Sequence, residues 1–426
     1  MSTDPQTANA ETGGAPDPAE VSMDEVLLSD LEYWEDGPPN ELFARMRSEC
    51  PVHWSPTITE YPEEEGFWSV TTADDVHTVS RDWRTYSSAY GITALTNAIL
   101  PLELTQAMFI GMDPPKHDRL KALFQRGFTP KRIAEHETAI REIADDVLDR
   151  VEGRETVELV NEVAQPFVSR VIGSFMGVPK GEDDAWARLM NSILAANDPD
   201  INPEGVPAVM ERDVPEMFER CTKLIAERRE NPTEDLTSVL VHAEVDGERL
   251  EEHEIVMGFF LLMAAGNDST KATYCSAMRA LMEDPTQKQQ LLDDPELVGP
   301  AVEEALRMFP AFAHFRRTAM EDTELNGTTI RKGEKVVLWY VSSNRDETRY
   351  EDPDRFEVTR NPEHQAFGAG GRHFCLGTAL ARLELTVLIE ETLRRHPGIE
   401  LAGEPRHAAT QFVNQLKSLP VRLQPA

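Results

Sequence analysis

The spacing of apolar residues changes at a few points along the chain, and those points divide it into predicted elements. Residues 1–23 are mostly Thr, Ala, Gly, Pro, Asp and Glu with almost nothing to bury, so residues 1–24 are expected to form a disordered acidic tail. From Leu31 the pattern turns globular, and the folded domain is expected over residues 25–426. Pro39, Asn40 and Glu41 ahead of Leu42, Phe43 and Met46 open a helix, and residues 66–71 read as a short strand. Residues 90–110 are rich in Ile, Leu, Thr and Ala, lack a fixed period and contain Pro101, which marks an irregular apolar loop that covers core or lines a pocket. Pro114 and Pro115 precede another helix. Helical stretches follow between 130 and 229, interrupted at 195–214 by Pro199, Pro203, Gly205 and Pro207, an expected mobile connection. Residues 253–282 form a long, mostly apolar helix, and 378–396 run through good helix formers without a breaker until Pro397.

Length alone, 426 residues, suggests two or three domains, yet no linker divides the chain. Forty per cent apolar residues suffice for a sizeable core. A net charge of −34 argues against nucleic acid and anionic membrane as partners. One segment opposes that sign: Lys116, Arg119, Lys121, Arg126, Lys131 and Arg132, opposed only by Asp118. Such a run is by default a solvated helix face; it also fits a docking patch for an acidic partner. Cys50, Cys221, Cys275 and Cys375 are scattered, without zinc or disulfide spacing, and a reducing cytoplasm is the simplest compartment. No signal peptide is expected, and the apolar run 255–265 is too short for a membrane anchor.

The densest chemistry lies at Phe367-Gly368-Ala369-Gly370-Gly371-Arg372-His373-Phe374-Cys375-Leu376-Gly377. Its glycines permit positive φ and close approach to a flat ligand. Cys375 stands just before a helix N-terminus, where unpaired N–H groups and the dipole favour a thiolate. With Arg372 and His373 beside it, such a thiolate is a reasonable axial ligand for haem iron. A buried structural cysteine ahead of an ordinary helix fits the same residues. The stretch resembles the cysteine-ligand loop of the cytochrome P-450 superfamily, the haem-thiolate monooxygenases. Phe367 lies eight residues before the cysteine, where the family pattern has seven.

Other stretches carry the resemblance further. Asp113-Pro114-Pro115-Lys116-His117, with Lys121 four residues on, is similar to the family's Asp-Pro-Pro-x-His-x-x-x-Arg, which implies His117 and Lys121 as contacts of a haem propionate. Lysine there keeps the charge but loses the bidentate fork. Ala265-Gly266-Asn267-Asp268-Ser269-Thr270 is similar to the oxygen-binding groove of the distal helix. It implies Asp268 and Ser269 as the acid–alcohol pair, with Thr270 as the nearest substitute hydroxyl. Taken alone, the same cluster fits a polar group that merely bends a helix. Glu304 and Arg307 match Glu-x-x-Arg, a same-face pair that the resemblance makes a buried network with Arg355 as third member. Arg317 fits the arginine that meets a propionate.

The resemblance implies a mainly α fold with small β-sheets (α+β), a single large domain enclosing haem b between the distal helix and the cysteine loop. Cys375 would be the iron ligand, with Phe367, His373 and Gly377 beside the cofactor. Candidate substrate contacts are Ile92, Leu95, Ile99, Leu104, Ala265, Gly266, Ala311, Phe312 and Val413. The implied function is a monomeric, cytoplasmic, bacterial-type monooxygenase that hydroxylates an apolar substrate with O2. Its electrons would come from a ferredoxin and ferredoxin reductase docked near Arg119, Lys121, Arg126 and Arg372. The motif wording is nearest to members acting on sterol side chains, branched lipids or terpenoids. A polyketide-type tailoring hydroxylase stays open, as does a non-catalytic haem sensor or electron carrier. A peroxide-using enzyme of the same fold commonly lacks the acid–alcohol pair, which counts against it.

Overall fold

The computed structural model describes residues 17–97, 102–194, 196, 198–245 and 247–424. Over them the chain is mainly helical with small sheets, the expected class. The elements that position the site are, in chain order, strands β1 (Val52–Ser55), β2 (Phe67–Val70) and β3 (Tyr86–Ser87), and helices α1 (Lys116–Gln125), α2 (Gln165–Met176), α3 (Glu252–Glu283) and α4 (Val298–Met308). Strands β4 (His314–Ala319) and β5 (Lys335–Trp339) and helix α5 (Thr378–Arg395) complete the set.

Helix α3 is apolar on nearly every side, and a helix with no polar face is stable only inside a protein. Buried residues recur along its length from Glu254 to Met282. Its start is fixed by a capping box in which the Glu254 carboxylate accepts the Glu251 N–H at 3.0 Å. Around it one core joins Phe124 of α1, Phe167 of α2, Leu306 of α4 and Leu388 of α5.

The sheet has the order β1-β2-β5-β4-β3, with β2 and β5 parallel and the other pairs antiparallel. Beside it lies a second core in which Trp34 stacks on Trp339 at 5.4 Å. Val21 belongs to that core, and Arg45 donates to the carbonyls of Pro18 (2.6 Å) and Val21 (3.1 Å). Residues 17–24, assigned to the tail on composition, are therefore held against the domain by one buried valine and one arginine.

The 195–214 connection also differs from expectation, because it is helical from Gly205 onwards and runs into the helix Val214–Glu230. Pro207 falls in a first turn, where its missing N–H is no loss. Ser192 donates to Asp213 Oδ2 at 2.6 Å and accepts, through its carbonyl, the Asn202 amide at 2.9 Å, which ties the connection down.

Candidate active site

The cysteine loop is built on α5. Gly377 is the N-cap of that helix, and the Cys375 N–H donates to the Phe367 carbonyl at 2.8 Å, closing the loop despite its extra residue. Gly368, Gly370 and Gly371 take φ of 94°, 86° and 81°. At Gly371 a Cβ would come within 2.5 Å of the Ser80 carbonyl, so only glycine lets the loop pass. Lys121, the expected propionate contact, lines the cavity, and its ammonium also donates to the carbonyls of Arg372 (2.5 Å) and Phe374 (2.6 Å), pinning α1 to the loop.

Cys375 opens into a cavity together with Phe367 and Gly377. Burial raises its thiol above the ordinary value, and the Gly377 N–H, Lys121 and Arg382 only partly oppose that. Coordination to a metal would deprotonate the thiol outright. Behind Phe367, at 4.8 Å from its ring, stands the Arg382 guanidinium, paired with Glu303 at 2.6 and 2.8 Å. Burial would raise Glu303, but the bonds from Arg382 and His364 bring it to about 2.

His117, Arg317 and His373 line the cavity together with Lys121. The two imidazoles lie 4.2 Å apart, and His117 Nδ1 bonds Asp118 Oδ1 at 3.0 Å. Burial lowers both histidines, His373 well below the ordinary value, with Arg317 and His117 adding to the effect. His373 Nε2 has no hydrogen-bond partner among the described residues. Arg317 is 3% exposed, donates to the Arg316 carbonyl at 2.8 Å and joins no ion pair among the described residues. An unpaired buried cation is costly, so a bound anion belongs there. A sulfur ligand at one wall, orphaned donors at one edge and hydrocarbon elsewhere fit haem, whose carboxylates would meet those donors.

Helix α3 crosses the opposite wall with Ala265, Gly266, Ser269 and Thr270. Asp268 does not face the cavity. It is fully buried on the other side of the helix, paired with Lys271 one turn on at 2.8 Å and receiving the Asn267 amide at 2.9 Å. Ser269 Oγ donates to the Ala265 carbonyl at 2.8 Å, and Thr270 Oγ1 donates to Glu384 Oε2 at 2.5 Å.

Sequence reasoning missed Glu384. The available signal was one acid between Leu380 and Leu388 on the buried stripe of α5. Burial raises its carboxyl to about 8, against one opposing bond from Thr270, so it is neutral at pH 7. A raised acid pKa means that the folded state holds the proton more tightly than the unfolded one. Its contribution to stability is complete in mild acid and is lost as pH rises through about 8. The melting temperature of the parent is therefore expected to fall more between about pH 5 and about pH 8 than that of Glu384→Gln. Parallel melting profiles would contradict this.

Below the loop, Arg307 and Glu304 form a fully buried fork at 2.7 and 2.8 Å. The third member is not Arg355, which is exposed and offers only its carbonyl, but Arg360, whose Nε donates to Glu304 Oε1 at 3.0 Å. Among the proposed pocket residues, Ile92, Ala311 and Phe312 line the cavity. Leu95 instead packs in the Trp34 core, Leu104 against the main core, and Val413 behind the wall, bridged to Phe312. Ile99 lies outside the described residues. Phe109, Ile110 and Phe315 line the cavity as well and were not anticipated.

The basic cluster does not form one free face. Arg119 pairs with buried Glu254 at 2.5 Å, Arg372 with Asp118 at 3.0 Å, and Arg126 donates to the Glu244 carbonyl at 3.3 Å. Phe374, beside Arg372, is 42% exposed.

Comparison with known proteins agrees with this geometry. The cytochrome P450 family model matches residues 31–397. The methyl-branched lipid omega-hydroxylase of Mycobacterium tuberculosis is 37% identical over 97% of this chain and 98% of its own. The linalool 8-monooxygenase of Pseudomonas putida is 33% identical over 95% of this chain and 100% of its own. Among solved structures, a Mycobacterium marinum cytochrome P450 in complex with pseudoionone superposes with a TM-score of 0.88 at 35% identity, covering 94% of this chain and 99% of that one. No helix among the described residues is long and apolar enough to cross a membrane. The chain belongs to the cytochrome P450 family, and it is a haem-thiolate monooxygenase.

Proposed function

We propose that this monooxygenase hydroxylates an unactivated C–H bond on a branched apolar chain, of the kind found in methyl-branched lipids, terpenoids and sterol side chains. The observation that carries this reading is the cavity wall, where Ile92, Phe109, Ile110, Phe312 and Phe315 present hydrocarbon. The relatives named for a methyl-branched lipid and for linalool support the same class. In this reading the cofactor is haem b, with Cys375 as iron ligand and His117, Arg317 and His373 turned to its carboxylates. Bound haem supplies reductive activation of dioxygen and oxidation of the C–H bond.

The chain itself supplies binding, exclusion of water and proton handling. Taking a hydrocarbon substrate out of water stabilises the complex by about 25 cal/mol per Å² buried. Ser269 offers a hydroxyl at the cavity surface, and Asp268 holds the charge of Lys271 one residue behind it. Thr270 and neutral Glu384 form a second hydroxyl–acid pair that stores a proton on the Glu384 carboxyl. Electrons come from a ferredoxin with its reductase, docking on the cysteine-loop side at exposed Phe374 and Arg372. The protein acts as a monomer in the cytoplasm.

Titration with linalool, a methyl-branched fatty acid and a 3-ketosteroid is expected to move the haem absorbance to the high-spin form for at least one, with a hydroxylated product on turnover. No shift with any of them contradicts the substrate class. Ser269→Ala is expected to keep consuming reductant while product per reductant falls about a hundredfold, the low end of what a positioned proton donor contributes. Ser269→Thr, which fixes the rotamer, is expected to couple at least as well as the parent. Unchanged coupling in Ser269→Ala would remove Ser269 from proton delivery.

A further inference from the structure

Residues 90–97 carry Ile92 into the cavity wall yet belong to no helix or strand. A loop without a ladder must satisfy its polar groups elsewhere. On β4 successive side chains alternate, so Phe315 and Arg317 line the cavity while Arg316 points the other way, under this loop. Arg316 is 1% exposed. Its Nη1 donates to the Leu95 carbonyl at 2.6 Å, and its Nη2 donates to the Tyr90 carbonyl at 3.0 Å and to Asn97 Oδ1 at 2.5 Å. Its backbone N–H donates to the Ile92 carbonyl at 2.7 Å.

The loop is shaped for this guanidinium. Gly91 has φ 119°, and a Cβ there would lie 1.4 Å from Arg316 Nη2, so the chain can turn over the guanidinium only at a glycine. Glu64 balances the buried charge from the sheet side: it accepts from Thr96 of the same loop and pairs with Lys335 at 2.7 Å. A planar fork serving three oxygens at once is a geometry that an ammonium does not reproduce.

We propose that Arg316 is a positioning residue that holds residues 90–97 around its guanidinium, fixes Ile92 in the cavity wall and thereby sets how tightly and in which orientation an apolar substrate is held. The proposal rests on the haem-cavity reading for its consequence in binding, and on the loop geometry alone for its consequence in order.

Arg316→Met, Arg316→Lys and the parent would be compared by hydrogen–deuterium exchange and by titration with imidazole and 4-phenylimidazole. Imidazole needs only access to the iron, whereas 4-phenylimidazole must also fit the wall. In Arg316→Met the amides of residues 90–97 are expected to exchange at least about tenfold faster, as follows from losing charge-assisted buried bonds. The dissociation constant for 4-phenylimidazole is expected to rise about tenfold while that for imidazole stays unchanged. Arg316→Lys is expected to resemble Arg316→Met, because the fork and not the charge is lost. Unchanged exchange, an equal loss for both imidazoles, or full rescue by lysine would overturn the proposal. Should Arg316→Met fail to fold, Gly91→Ala displaces the loop from the guanidinium, and the same two readings decide. A parent without haem would overturn the functional reading, and the exchange comparison would still decide this one.

Discussion

Replacing Cys375 by serine is expected to end monooxygenase turnover altogether while leaving a folded protein. The alcohol is far less acidic than the thiol, so it cannot provide the anionic sulfur that donates electron density to the iron. The Cys375 N–H donates to the Phe367 carbonyl, and serine retains that N–H, so the loop survives. The donors His117, Arg317 and His373 remain at the far edge of the cavity to hold the cofactor's carboxylates. The measurement is turnover of a bound apolar substrate beside haem content and the melting temperature. Near-parental turnover in Cys375→Ser would contradict the assignment of the iron ligand.

Removing the Arg307 guanidinium is expected to cost more stability than any other single substitution below the loop. Arg307 is fully buried and donates to Glu304 twice, to the carbonyls of Asn344 (2.9 Å) and Pro353 (2.8 Å), and at 3.4 Å to that of Arg355. Arg307→Ala leaves Glu304 as a buried carboxylate with only Arg360 and the Glu357 N–H to bond it. Breaking one partner of a buried pair typically costs about 3–5 kcal/mol, a large part of a domain's total of about 5–15 kcal/mol. For a chain of this size that corresponds to a fall in melting temperature of roughly 3–6 °C, with loss of haem. Glu304→Leu combined with Arg307→Met is expected to melt above either Arg307→Ala or Glu304→Ala, because no unpaired charge stays buried. Melting curves and haem content of the purified variants test this; Arg307→Ala melting with the parent would contradict it.

The cysteine loop was readable from the chain because its determinants are local: glycines at positive φ, a cysteine and a helix start within eleven adjoining residues. The long buried helix was readable for the same reason, since a run without a polar face has nowhere else to go. What escaped depended on facing direction or on distant partners. Asp268 and Ser269 are neighbours in sequence, but one residue is about 100° of helix, which turns the acid to Lys271 and the alcohol to the cavity. Arg355 and Arg360 are near each other in sequence and far from the Glu304 pair, and only the turn of the chain decides which side chain returns to it. In the 90–97 loop, no period announces that Ile92 faces the cavity while Leu95 faces the Trp34 core. Glu384 reads as one more charge on a helix until burial makes it a neutral acid.

A sulfur-ligated haem in the cavity of α3 and α5 is tested by the difference spectrum of the dithionite-reduced protein with and without carbon monoxide. The strongly red-shifted band of a thiolate-ligated carbon monoxide complex is expected in the parent and not in Cys375→Ser. A band typical of histidine ligation, or no haem spectrum in the parent, would contradict it.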